Sequence, residues 1–67
     1  MLTFTTASCR QEPVNVEELA TTRTVGVGFL ERGLLPEAET QFLKVVRLAP
    51  KDPLGHANLG LTYLRAG

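Results

Sequence analysis

From residue 15 onward, apolar residues recur at the three- and four-residue intervals of an amphipathic helix. Glycines and prolines divide this pattern into three stretches. We therefore predict three helices, at about residues 15–32, 36–49 and 53–66. Their apolar positions are Leu19, Val25, Phe29 and Leu30 in the first, Ala38, Phe42, Val45 and Ala49 in the second, and Ala57, Gly60, Tyr63 and Leu64 in the third.

Residues that start and end helices stand at the boundaries of these stretches. Asn15 can cap the first helix, and Glu18, three residues later, can reach back to it in a capping box. Gly33 suits the left-handed position that follows a helix. Pro36 suits the first turn of the second helix, and Asp52 can cap the third. The sequence therefore predicts an all-α fold of antiparallel helices.

The sequence also repeats itself with a period of 34 residues. This shift aligns two pairs of glycines with an aromatic pair between them, whereas glycine makes up only about 7% of ordinary sequences. The chain thus contains one complete two-helix unit, residues 19–52, and the first helix of a second unit. The aligned pairs are Val25 and Leu59, Gly26 and Gly60, Phe29 and Tyr63, Leu30 and Leu64, and Gly33 and Gly67.

This pattern resembles the tetratricopeptide repeat, a helical pair of about 34 residues. The resemblance covers residues 19–67, and we treat residues 15–67 as a fragment of such an α-solenoid. It departs from the family at Thr22 and His56, where a large aromatic residue is common, and at Val45, where alanine is usual. The residues that carry it are Val25, Gly26, Phe29, Gly33, Ala38, Phe42 and Pro50.

The resemblance implies that stacked units form a concave groove for a peptide or protein, lined mainly by the first helix of each unit. Asn58 matches a position where family members place an asparagine that holds a peptide backbone. Arg23 matches a position where a cation meets a peptide carboxylate. We therefore predict an interaction scaffold that binds a peptide or contributes to an assembly. The groove residues implied are Arg23, Val27, Leu30, Asn58, Leu61 and Arg65.

The second unit lacks its second helix in this sequence, so Leu59, Tyr63 and Leu64 are expected to form an exposed stacking face. Repeat arrays generally need about three units for stability. We therefore expect that the chain belongs to a longer repeat protein or that copies associate through the uncovered last helix. An alternative is the N-terminal segment of a larger exported lipoprotein or enzyme, with its activity encoded downstream.

The composition argues against several other functions. Seven basic residues balance seven acidic ones, and Glu37 and Glu39 open the second helix, so nucleic-acid binding is not expected. One cysteine and one histidine provide neither an internal disulfide nor a metal site, and no apolar stretch approaches the ~20 residues of a membrane span. Asp52 and His56 are spaced for an acid–base dyad, but no nucleophile accompanies them. We expect no enzyme activity and no cofactor.

Residues 1–14 precede the helical pattern. We interpret them as a leader that is either disordered or a truncated signal and tether. The small residues before Cys9 resemble the end of a bacterial lipoprotein signal, after which the cysteine is lipidated. The leader lacks the basic start and the apolar stretch of a signal peptide, and Thr6 stands where leucine, valine or isoleucine is usual. Two readings stay open: an exported protein anchored by lipid at Cys9, or a cytoplasmic protein with an incidental cysteine.

Overall fold

The computed structural model describes residues 14–67. This part of the chain consists of helices α1 (Val16–Glu31), α2 (Leu35–Leu48) and α3 (Pro53–Ala66), without a strand. The all-α prediction is confirmed, and every helix end lies within one residue of its predicted position. Cys9 and the lipid anchor proposed for it lie outside the described residues.

The start of α1 is capped as the sequence predicts, although only half of the capping box forms. The side-chain oxygen of Asn15 accepts the backbone N–H of Glu18 at 2.9 Å. The carboxylate of Glu18 contacts the ammonium group of Lys44 on α2 at 3.3 Å instead of returning to Asn15. This residue therefore links two helices rather than closing a local motif.

The turn between α1 and α2 depends on Gly33, which has a φ of 75°. Its N–H donates to the carbonyl of Leu30 at 3.0 Å, and the N–H of Leu34 donates to the carbonyl of Phe29 at 2.9 Å. These two bonds form a Schellman motif, which requires a left-handed residue at this position. Pro36 follows in the first turn of α2. The chain therefore reverses within a few residues, and α2 packs antiparallel to α1.

The core lies around the centre of α2. The side chains of Ala38, Phe42 and Val45 are fully buried, and Leu30 of α1 is 5% exposed. The ring of Phe42 lies on Gly26, where an added Cβ would be only 2.7 Å from the Cε1 atom of the ring. Gly26 therefore lies where the two helices approach closely, and a larger residue would not fit.

Helix α3 also packs on α2, through residues that the apolar pattern did not predict. Gly55 lies against Val45, so that an added Cβ would be 2.9 Å from a Val45 methyl group. Thr62 is 1% exposed, and its hydroxyl donates to the carbonyl of Asn58 at 2.8 Å. Leu59 is half-buried against the core. The apolar positions predicted for α3 are all exposed: Ala57, Gly60, Tyr63 and Leu64.

Candidate functional site between α1 and α3

Two arginines connect α1 with α3. Arg23, near the middle of α1, donates from Nη2 to the Oδ2 atom of Asp52 at 2.6 Å. Arg65, in the last turn of α3, donates from Nη1 to the carbonyl of Leu30 at 3.4 Å. These contacts mark two points along one side of the molecule, where α1 and α3 lie next to each other.

The predicted groove residues other than Leu30 belong to these two helices, and we call them the α1–α3 face. Val27 lies one turn after Arg23, while Asn58 and Leu61 lie two turns and one turn before Arg65, so helical spacing places them between the two contacts. Val27 and Asn58 are half-buried, and Leu61 is 38% exposed. The α1–α3 face consists of Arg23, Val27, Asn58, Leu61 and Arg65.

The ion pair changes the role expected of Arg23. Its guanidinium already contacts a carboxylate inside the molecule, and the side chains of Arg23 and Asp52 are each only 27% exposed. The other carboxylate oxygen of Asp52 accepts the N–H of Leu54 at 2.9 Å, which caps α3. A peptide carboxylate would therefore compete with Asp52 for Arg23. We therefore interpret Arg23 as a residue that positions α3.

Leu30 does not belong to the α1–α3 face, and its assignment to the groove was wrong. At 5% exposure it packs in the core with Ala38 and Phe42. The reason is its position one turn after Gly26, on the side of α1 that α2 covers. A ligand on the α1–α3 face would meet the carbonyl of Leu30 rather than its side chain.

The stacking face expected on α3 divides into two parts. Leu59 is not exposed as expected, because it packs against the core between α1 and α2. Tyr63 is 48% exposed and Leu64 is 80% exposed. The Tyr63 hydroxyl donates to the carboxylate of Glu39 on α2 at 2.9 Å. That hydrogen bond, followed by burial and then the charge of Glu39, raises the pKa of the Tyr63 phenol above 10.0.

The Asp52–His56 dyad that the spacing allows does not form. The Nε2 atom of His56 is 3.0 Å from the carbonyl oxygen of Pro50, while the Asp52 carboxylate is bonded to Arg23 and to the backbone of Leu54. Within residues 14–67, no cluster of three or more histidine, cysteine, aspartate or glutamate side chains could hold a metal ion.

A separate cleft of about 350 Å³ lies where α2 ends and α3 begins, lined by Val14 and residues 47–52. It contains the cations Arg47 and Lys51 beside the apolar side chains of Val14, Leu48 and Pro50. None of the residues of the α1–α3 face lines it. The cleft is therefore a different surface from the predicted groove.

The helices of the described part of the chain are too short or too polar to cross a membrane. Compared with protein-family models, with curated proteins and with solved structures, the chain matches none. The geometry of its own residues is therefore the basis for assigning a function.

Proposed function

We propose that this chain is a protein-interaction module, similar to a tetratricopeptide repeat, that binds a peptide on the α1–α3 face. The observation that supports this most directly is the ion pair of Arg23 with Asp52, which joins α1 to the start of α3. Val27, Asn58 and Leu61 belong to the two helices that this ion pair joins. Side chains that are already held on helices lose little conformational entropy when a ligand binds, which favours recognition.

The chemistry of the face indicates the kind of peptide. The carboxamide of Asn58 can donate and accept hydrogen bonds, which matches the alternating donors and acceptors of a peptide backbone. Leu61 offers an apolar contact, and Val27, which is half-buried against the core, offers a smaller one. Arg65 is exposed and has only a long contact to a carbonyl, so it can turn towards a carboxylate. We expect an extended peptide with apolar side chains and an acidic residue near the C-terminal end of α3.

The size of the face limits the expected affinity. Interfaces that bury less than about 1,200 Å² are typical of weak, transient complexes. An interface centred on Val27, Asn58 and Leu61 belongs to this size class. We therefore expect dissociation constants on the order of micromolar or weaker. The proposal assigns no catalytic step and no cofactor to the chain, since Asp52 and His56 are engaged with other partners.

Selection from a phage-displayed library of random short peptides against the full chain tests this proposal. Selected peptides would then be titrated against three variants, Leu61→Asp, Asn58→Ala and Leu43→Asp. Leu43 lies on α2, and its exposure of 38% equals that of Leu61, so it controls for the general effect of a charge at a half-exposed leucine. We expect Leu61→Asp and Asn58→Ala to weaken binding about tenfold, a change of about 1.4 kcal/mol, and Leu43→Asp to leave it unchanged.

The same titrations can contradict the proposal. Equal losses in Leu61→Asp and Leu43→Asp would place the peptide elsewhere or indicate unfolding, which circular dichroism would detect. Amide chemical-shift changes confined to residues 47–52 would assign peptide binding to the cleft at the end of α2.

A further inference from the structure

The cleft at the end of α2 combines positive charge with an apolar surface. Two cations, Arg47 and Lys51, line it together. Its volume of about 350 Å³ is at the small end of the range for ligand sites, about 300–1,000 Å³. The cleft can therefore hold a small molecule but not a folded partner. Its lining residues other than the two cations and Asp52 are apolar: Val14, Leu48, Ala49 and Pro50.

The positive charge of the cleft is not neutralised by its own acidic residue. Among the described residues that line the cleft, Asp52 is the only acidic one. One of its carboxylate oxygens accepts from Arg23 at 2.6 Å, and the other accepts from the N–H of Leu54 at 2.9 Å. Neither Arg47 nor Lys51 forms an ion pair within residues 14–67, and both are exposed. Two cationic groups are therefore available to a ligand.

Two backbone carbonyls beside these cations are already hydrogen-bonded. Free carbonyl groups at the end of a helix would repel an anion. Here the carbonyl of Ala49 accepts a backbone N–H at 3.0 Å, and the carbonyl of Pro50 lies 3.0 Å from the Nε2 atom of His56, within hydrogen-bonding distance. The helix dipole accounts for a cation in the last turn of α2, where Arg47 lies, but not for Lys51, which follows the C-cap residue.

We propose that this cleft binds a small aliphatic carboxylate. The carboxylate group lies between Arg47 and Lys51, which contact it through charge-assisted hydrogen bonds. The hydrocarbon chain packs on Val14, Leu48 and Pro50. Because apolar residues outnumber the cations in the lining, the site suits a singly charged ligand with an apolar body better than a multiply charged phosphate. The cleft shares no residue with the α1–α3 face, so it does not depend on the peptide binding proposed above.

Octanoate is the probe, titrated into the isotope-labelled full chain and followed by amide chemical shifts. Two analogues separate its charge from its chain: octanamide keeps the hydrocarbon chain without the charge, and acetate keeps the charge without the chain. We expect octanoate to shift amide signals within residues 47–52, with a dissociation constant on the order of 1 mM for a ligand of so few atoms. Octanamide and acetate should each bind at least about fivefold more weakly.

Paired substitutions test the two cations. Arg47→Gln combined with Lys51→Gln removes both positive charges from the cleft. Arg32→Gln combined with Lys44→Gln is the matched control, because it also removes one arginine and one lysine but neither residue lines the cleft. We expect the first double variant to bind octanoate about fivefold more weakly, as is typical for the loss of two exposed charge contacts, and the control to bind it unchanged. Circular dichroism verifies that both variants are folded.

Three results would overturn the proposal. The first is the absence of octanoate-induced shifts within residues 47–52 of the wild-type chain, which is also the result if another segment of the chain fills the cleft. The second is equal weakening in the two double variants, which would mean that octanoate responds only to net charge. The third is octanamide binding as tightly as octanoate, which would show an apolar site that does not recognise the carboxylate.

Discussion

Arg23 and Asp52 are separated by 29 positions in the chain, yet their side chains meet at 2.6 Å. Asp52 uses one carboxylate oxygen for this ion pair and the other for the N–H of Leu54, which begins α3. A single side chain therefore both starts the last helix and ties it to the first. The position of α3 beside α1 depends on this residue as well as on apolar packing.

Two substitutions of Asp52 separate these roles. Asp52→Asn keeps a good helix cap and removes the charge, so we expect a loss of about 0.5–1 kcal/mol in the free energy of unfolding, typical of a partly exposed ion pair. Asp52→Ala removes the cap as well and should cost about 1 kcal/mol more. Urea denaturation followed by circular dichroism measures both values.

Lys44→Gln is the control for the ion pair, since Lys44 and Glu18 are 3.3 Å apart and their side chains are 44% and 42% exposed. We expect this change to cost less than about 0.5 kcal/mol. If Asp52→Asn proved as mild as Lys44→Gln, the contact with Arg23 would not be what positions α3.

Gly26→Ala should destabilise the chain although alanine favours helices. The new methyl group would be 2.7 Å from the ring of Phe42, and overpacking of this kind costs about 1–3 kcal/mol. Gly28→Ala, in the same helix but with open space around it, should instead stabilise the chain by about 0.5–1 kcal/mol. Thermal unfolding of the two variants gives shifts of opposite sign; a gain in both would show that the helices are further apart at Gly26.

Phe42→Ala should abolish the folded state. Removing a fully buried phenylalanine costs about 3–5 kcal/mol, which is all that a single core of this size supplies. Leu43→Ala, at a neighbouring position that is 38% exposed, should retain helical circular dichroism at 25 °C. A cooperatively folded Phe42→Ala variant would mean that the core does not centre on this ring.

The Tyr63 phenol should ionise at a higher pH than a free tyrosine. Its pKa is raised above 10.0, first by the hydrogen bond to Glu39, because the protonated phenol is the form that donates. The stability that results is present below pH 10 and is lost as the pH rises through the raised pKa. Absorbance titration near 295 nm measures the pKa, and Glu39→Gln should bring it back towards 10. An unchanged midpoint in Glu39→Gln would contradict the role of this hydrogen bond.

The local features of the fold could be predicted from the sequence because their causes are local. The caps at Asn15 and Asp52 and the left-handed turn at Gly33 each involve a few consecutive residues. The 34-residue repeat aligned Gly26 with Gly60, although an added Cβ would meet the ring of Phe42 at Gly26 and nothing within 4 Å at Gly60. Membership of the tetratricopeptide family stays a prediction.

Contacts between different helices could not be predicted from the sequence in this way. Spacing within one helix paired Asp52 with His56, whereas the fold pairs it with Arg23 from another helix. Leu30 was expected in the groove, but it lies on the side of α1 that α2 covers. The rotation of α3 is set by Gly55 against Val45, a close contact that no periodic pattern indicates.

The central place of α2 has a consequence for how the molecule opens. Because its buried side chains contact both neighbours, α2 cannot detach without exposing the whole core. Helix α3 can separate while α1 and α2 stay paired, so amide hydrogens should exchange fastest in α3 and slowest around Phe42. A partner that covers α3 would therefore slow amide exchange in this helix more than in α1 or α2. Protection of α3 would then show that the partner is bound, even if exchange elsewhere does not change.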